Sequence, residues 1–267
     1  MCITSSPAEL SNTKIMSIKL DEDYHLLAYS NKVKNLSKFP NSMILAVPGT
    51  LTQTDFYDTT AYAKFLEEIE MFRQMRSRSL TKGINTDNDT LSFETFGLGM
   101  YTVFLSESAA LISDALKALP EEKRPKISDE LLSFFSTHYH GWSLVVCVFD
   151  SEKAVDAQPI MFKYKPFNKN MLYFPGMDSH DGGAPNTNAI VKVDHYIISQ
   201  LTGVGKTEFS DDCKVPEILQ NREFYGYNQT RPVSNGDWYL EIRNNIPDNL
   251  MIRSSKPLIQ KPELHEH

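Results

Sequence analysis

Residues 14–30 read KIMSIKLDEDYHLLAYS. Two seven-residue apolar-rich runs, KIMSIKL and YHLLAYS, flank the acidic Asp21-Glu22-Asp23, which is the pattern of strand, turn and strand. A β-hairpin is therefore expected near the start of the chain, and SMILAVPG (42–49) supplies a third strand. Beyond it the period changes. Asp58 is placed to cap a helix in which Tyr62, Phe65, Leu66, Ile69, Phe72 and Met75 recur every three or four residues. Such a stripe faces a core.

After the polar loop TKGINTDNDT, the stretch LSFETFGLGMYTVFL reads as strands broken at Gly97 and Gly99. Ser106 is the expected cap of a second helix carrying Leu111, Ile112, Ala115, Leu116 and Leu119. PEEKRPK separates it from a third helix beginning near Ser128. From Trp142 the signals return to β: WSLVVCVF, QPIMFKYKP, MLYFPG, NAIVKVDHYIISQ and DWYLEIR alternate with Pro, Gly, Asn and Asp turns. Strand runs around a central block of about three helices predict an α+β fold with a mostly antiparallel sheet system. Residues 1–250 are expected to form a single α+β domain, with 120–127 as the candidate internal boundary and 251–267 as an extended polar arm.

Composition narrows the function classes. At 267 residues, 41% hydrophobic and 23% charged, the chain has enough apolar surface to fold without staples. Its longest apolar run, Leu144 to Phe149, is far short of the about 20 residues a spanning helix needs. Neither a basic start nor an apolar core marks the N-terminus as an export signal. Cys2, Cys147 and Cys213 are odd in number and widely spaced, which disfavours a disulfide framework or a structural zinc site. The expected compartment is reducing and intracellular, most simply the cytoplasm. A net charge of -7 disfavours nucleic acid and anionic membranes as partners. Arg73, Arg76, Arg78 and Lys82 read as the solvated, C-terminal end of a helix.

QLTGVGKT (200–207) has the end of a phosphate-binding loop without its first glycine, because Gln200 stands there. Asp211 and Asp212 follow where a helix N-terminus should attract the phosphates. No nucleotide is expected.

Three candidate sites remain. Removal of Met1 would leave Cys2 with both a thiol nucleophile and an α-amine able to accept its proton. MCI followed by YHLLAYSNKV resembles the start of the N-terminal-nucleophile hydrolases, and the resemblance implies amide hydrolysis by Cys2 with Asn31 as an oxyanion-hole group. The chain departs from that pattern at Lys32 and Val33, where those enzymes often carry an arginine or an acid.

His138 and His140, Asp178, His180 and Asp181, and Asp194 and His195 supply imidazole and carboxylate groups of the kind that hold a divalent metal. His180, Asp181 and His195 are the expected ligand set. The alternative is structural: Asp178 and Asp181 close turns, Gly182 and Gly183 permit unusual backbone, and His195 is hydrogen-bonded on a strand. YFPGMDSHDGG and VDHYIISQ also resemble a group of intracellular proteins sharing Phe-Pro, then His-Asp-Gly, then Asp-His. That resemblance implies a recurring unit and no activity.

The third site is an interface. Tyr225, Tyr227 and Arg231 in REFYGYNQTRP are residue types enriched in binding hot spots. No strong catalytic signature competes with them, so a protein partner or self-assembly is the favoured function. Cys2 hydrolysis and His/Asp metal chemistry are the alternatives.

Overall fold

The computed structural model describes residues 3–75, 96–200, 214–220, 222–242 and 253–255. The expectations for Cys2, for Gly205-Lys206-Thr207, for Arg76, Arg78 and Lys82, and for most of the C-terminal arm lie outside the described residues.

The opening hairpin forms as its pattern requires. After β1 (Ile3–Thr4), β2 (Ala8–Lys19) and β3 (His25–Asn35) pair antiparallel from Ala8↔Asn35 to Lys19↔His25. Asp21 fixes the turn, its Oδ1 accepting the N–H groups of Asp23 and Tyr24 at 2.8 Å each. β2 starts earlier than KIMSIKL, since exposed Glu9, Ser11 and Asn12 occupy its first half. The register shifts between Ser11 and Lys14, where Asn12 takes a φ of 52° and donates its N–H to Asp194 Oδ2 at 2.7 Å. Asn is among the few residue types that accept this backbone.

β4 (Asn41–Val47) is buried at every position. The short β5 (Gly49–Thr50) and β6 (Phe56–Tyr57) lead to α1 (Phe65–Met75). Asp58 accepts the Thr60 N–H at 2.8 Å but caps no α-helix: a 3-10 turn over Thr60–Tyr62, with Thr59 at its N-cap, comes first, and α1 begins only at Phe65. β7 (Phe96–Leu98) turns into β8 (Tyr101–Ser106) through Gly99, whose φ is 57°. Because β8 runs through Ser106, the cap of α2 (Ala109–Leu116) falls to Ser108 instead. α3 (Asp129–His138) starts where the sequence places it, Ser128 Oγ accepting the Leu131 N–H at 3.2 Å.

Strands then follow in succession. They are β9 (Ser143–Phe149), β10 (Val155–Asp156), β11 (Ile160–Pro166), β12 (Met171–Phe174), β13 (Ile190–Val191) and β14 (His195–Gln200). The last are β15 (Phe224–Gln229), β16 (Val233–Ser234), β17 (Asp237–Glu241) and β18 (Arg253–Ser255).

The fold is α+β and mostly antiparallel. One sheet runs β1-β4-β9-β8-β7 and a larger one β15-β14-β2-β3-β11-β5, with β14 parallel to β2. Strand pairs β4–β9 and β3–β11 join residues on either side of 120–127, and β18 pairs with β17. The alternation of strands divides the core in two. Ile15, Leu27, Tyr29, Phe162, Tyr164 and Ile197 on one face of the larger sheet share a buried cluster with the smaller sheet. Met16, Ile18, Leu26, Ala28, Met161 and Ile198 on the other face pack against Phe65, Leu66 and Ile69 of α1. Among the described residues no helix is long and apolar enough to cross a membrane.

Candidate functional site

The first strand, the segment after β12 and the turn into β17 meet at one place. Asp237 is 1% exposed, and its Oδ1 accepts the N–H groups of Gly176 at 2.8 Å and Met177 at 3.0 Å. Its Oδ2 accepts the Tyr139 hydroxyl at 2.9 Å. Burial pushes the Asp237 carboxyl above the usual range, against those same hydrogen bonds, which favour the anion. Two residues earlier, Asn235 grips Asp178 from both sides, taking its N–H on Oδ1 and donating Nδ2 to its carbonyl, each at 2.8 Å.

So anchored, residues 179–182 run beside the start of the chain. Ser179 O accepts the Thr4 N–H at 2.8 Å and His180 O accepts the Ala8 N–H at 2.9 Å. Gly182, with φ 86°, passes so close to Ser5 that an added Cβ would lie 2.7 Å from its carbonyl oxygen. The sequence needs glycine here for both reasons.

The histidine and aspartate groups divide into separate pairs. His180 Nε2 lies 2.9 Å from Asp178 Oδ1, both side chains half-buried. Burial raises the Asp178 pKa, but the hydrogen bond and charge of His180 outweigh it and hold the carboxyl below its ordinary value. Asp181 is occupied in a turn, accepting Ser179 Oγ at 3.0 Å and the Gly183 N–H at 2.9 Å. His195 is 4% exposed, stands edge-on to Trp238 at 5.5 Å, and has its Nδ1 3.6 Å from Asp194 Oδ1. Burial brings its pKa down to about 4, against the pull of Asp194 and Asp178, so the ring is neutral at pH 7.

His138 ends α3 with its ring tilted against Phe134 at 4.3 Å, and His140 lies in the turn that follows. Among the described residues no group of three or more His, Cys, Asp or Glu side chains is placed to hold a metal ion. His180 and Asp178 thus form a half-buried pair, while the His195 ring is buried against Trp238.

Asn31 is buried and accepts the Tyr101 hydroxyl at 3.1 Å; with Lys14, Glu67 and Gln158 it lines a cavity of about 180 Å³. Tyr225, half-buried, and Tyr227, 37% exposed, lie on β15, with exposed Arg231 just beyond.

Two features escape sequence reasoning. Asn235 and Asp237 stand in SNGDW, which signals a turn but not which backbone the side chains will hold. Leu36 and Phe39, in NLSKFPN between β3 and β4, are 48% and 50% exposed. Two apolar residues in an otherwise polar connection were the available signal.

No family model matches this sequence, and no curated protein matches it. Among solved structures the chain is similar to baculovirus P35, with a TM-score of 0.48 and 13% identity over 90% of this chain and 91% of that one. It is also similar to P35 in the caspase-8/P35 complex, with a TM-score of 0.44 and 12% identity over 88% of each chain. Identities of this size transfer neither a partner nor a residue's role.

Proposed function

We propose that this chain acts by binding another protein. The observation that carries the reading is the turn from Asn35 to Phe39. Asn35 Nδ2 donates to Phe39 O at 2.8 Å, Asn35 Oδ1 accepts the Ser37 N–H at 3.0 Å, and Ser37 Oγ accepts the Phe39 N–H at 3.1 Å. The Leu36 N–H donates to Pro7 O at 3.1 Å, tying the turn to the chain just before β2. Half-exposed Leu36 and Phe39 are therefore held out on a rigid support.

Fixing a contact residue before binding lowers the ordering cost of association, and aromatic anchors dominate interface energetics. Lys126 lies 3.9 Å above the Phe39 ring, and exposed Lys38 sits between the two anchors. The complementary surface is an apolar pocket rimmed by carboxylates. Cross-linking mass spectrometry on complexes captured with the full chain tests this. Cross-links from Lys38 and Lys126 to one partner, lost in a Leu36→Ser/Phe39→Ser variant, support it; a partner retained equally by that variant contradicts it.

A second reading, amide hydrolysis by Cys2, is favoured by the parallel bridge between Ile3 and Ser179. It leads Ile3 and Thr4 alongside the segment that carries the Asp178–His180 couple. Intact mass of the native protein is the first test, because a retained Met1 blocks the amine the mechanism requires.

A further inference from the structure

Asn235 and Gly236 form the turn between β16 and β17, and they are the single Asn-Gly pair in the sequence. An asparagine followed by glycine is prone to lose its amide, because no Cβ shields the next backbone nitrogen from the side-chain carbonyl carbon. The Gly236 nitrogen gives up its proton to hydroxide and bonds to Asn235 Cγ; the Cγ–Nδ2 bond breaks, and ammonia departs from a five-membered imide. Water then opens the ring at either carbonyl, leaving aspartate or isoaspartate at position 235. Nothing is oxidised or reduced.

The fold opposes this reaction. Asn235 is 3% exposed. Its Oδ1 accepts the Asp178 N–H at 2.8 Å, and its Nδ2 donates to Asp178 O at 2.8 Å and to Asn186 O at 3.2 Å. Its own N–H donates to Ala189 O at 2.9 Å. Both ends of the amide are thus committed to the backbone of another segment, and forming the Cγ–N bond pulls them off those partners. The Gly236 carbonyl is itself packed against Gly176, where an added Cβ would lie 2.5 Å from it.

We infer that Asn235 is a deamidation site under a structural lock: its bonds to Asp178 and Asn186 suppress the reaction in the folded chain, and opening of the segment that carries Asp178 and His180 releases it. The change then resists reversal. Aspartate at 235 puts an acceptor where a donor faced two carbonyl oxygens, a buried mismatch that opposes closure. Isoaspartate lengthens the main chain by one carbon, two residues before Asp237, whose carboxylate holds Gly176, Met177 and Tyr139. A chain that has opened and deamidated therefore seats Ser179 and His180 less firmly against the Thr4 and Ala8 amides.

Incubating the full chain at mildly alkaline pH, folded and in urea, and following it by intact mass and peptide mapping tests this. A reaction confined to the open form proceeds in proportion to its population, so Asn235 is expected to convert at least about a hundredfold more slowly in the folded chain than in urea. Below the unfolding transition the rate should already rise with urea. In fully unfolding urea, Gly236→Ala should slow the conversion several-fold, a comparison that needs no folded variant. Asn235→Asp, the product made directly, should unfold at a lower urea concentration than wild type. A folded chain that converts Asn235 as fast as the unfolded one overturns the lock. An unfolded chain in which Asn235 lasts as long as the other asparagines overturns the site, and an Asn235→Asp protein as stable as wild type overturns the consequence.

Discussion

The Tyr139 hydroxyl donates to Asp237 Oδ2 at 2.9 Å across 98 residues of sequence, and both side chains are buried. This bond and the two backbone N–H groups on Oδ1 make Asp237 the anchor of the segment that carries Asp178 and His180. Asp237→Ala leaves three buried donors without an acceptor and is expected to cost roughly 3 kcal/mol, with Tyr139→Phe costing about 1 kcal/mol. Urea denaturation measures both. A loss within about 0.5 kcal/mol for Asp237→Ala, the range of ordinary surface substitutions, would contradict the anchor.

His195 predicts an acid limit to stability. Its pKa falls from 6.5 unfolded to about 4 folded, so between those values the unfolded chain binds the extra proton. Stability therefore drops as pH falls through that window, by up to roughly 3 kcal/mol, and this contribution levels off below it. Asp178, with its lowered pKa, adds a loss in the same direction as its carboxylate protonates. Asp237, with its raised pKa, acts the other way and contributes stability that is lost as pH rises. Midpoints of urea unfolding from pH 7 to pH 4 should decline in wild type and flatten in His195→Phe.

Gly182→Ala should loosen the first strand. Positive φ and contact with Ser5 each penalise a side chain, so a cost of about 1–3 kcal/mol is expected. Hydrogen exchange should quicken at the Thr4 and Ala8 amides, which donate to Ser179 and His180. Unchanged exchange there would show that the two segments are held by something else.

Asn35→Ala should loosen the turn that carries Leu36 and Phe39. The loss of acceptor and donor at a site 4% exposed is expected to cost roughly 2 kcal/mol and to speed exchange at the Ser37 amide. If exchange there is unaffected, Asn35 is not what stiffens the turn.

Local patterns carried most of the architecture. All of KIMSIKL but Leu20 and all of YHLLAYS but Tyr24 lie within the strands of the hairpin, and the Phe65, Leu66 and Ile69 stripe faces the core because alternation and helical period are both written in neighbouring residues. Boundaries shifted where a neighbouring element competed, as when β8 ran through Ser106 and passed the cap of α2 to Ser108. REFYGYNQTRP was legible as a run of aromatics, but not as the edge strand that buries Phe224, half-buries Tyr225 and exposes Tyr227, because that depends on its pairing with β14. Asp178 and His180 were visible as residue types. Their separation from Asp181, which is spent on its own turn, depends on contacts with Asn235 and the first strand that no spacing encodes.

The most direct test of protein binding through a preformed surface is hydrogen exchange on the full chain, alone and in the complex it forms. New protection is expected to concentrate at residues 36–39, with little change in the buried strands β4 and β9. Protection confined to other surfaces, with exchange at 36–39 unaltered, would contradict it.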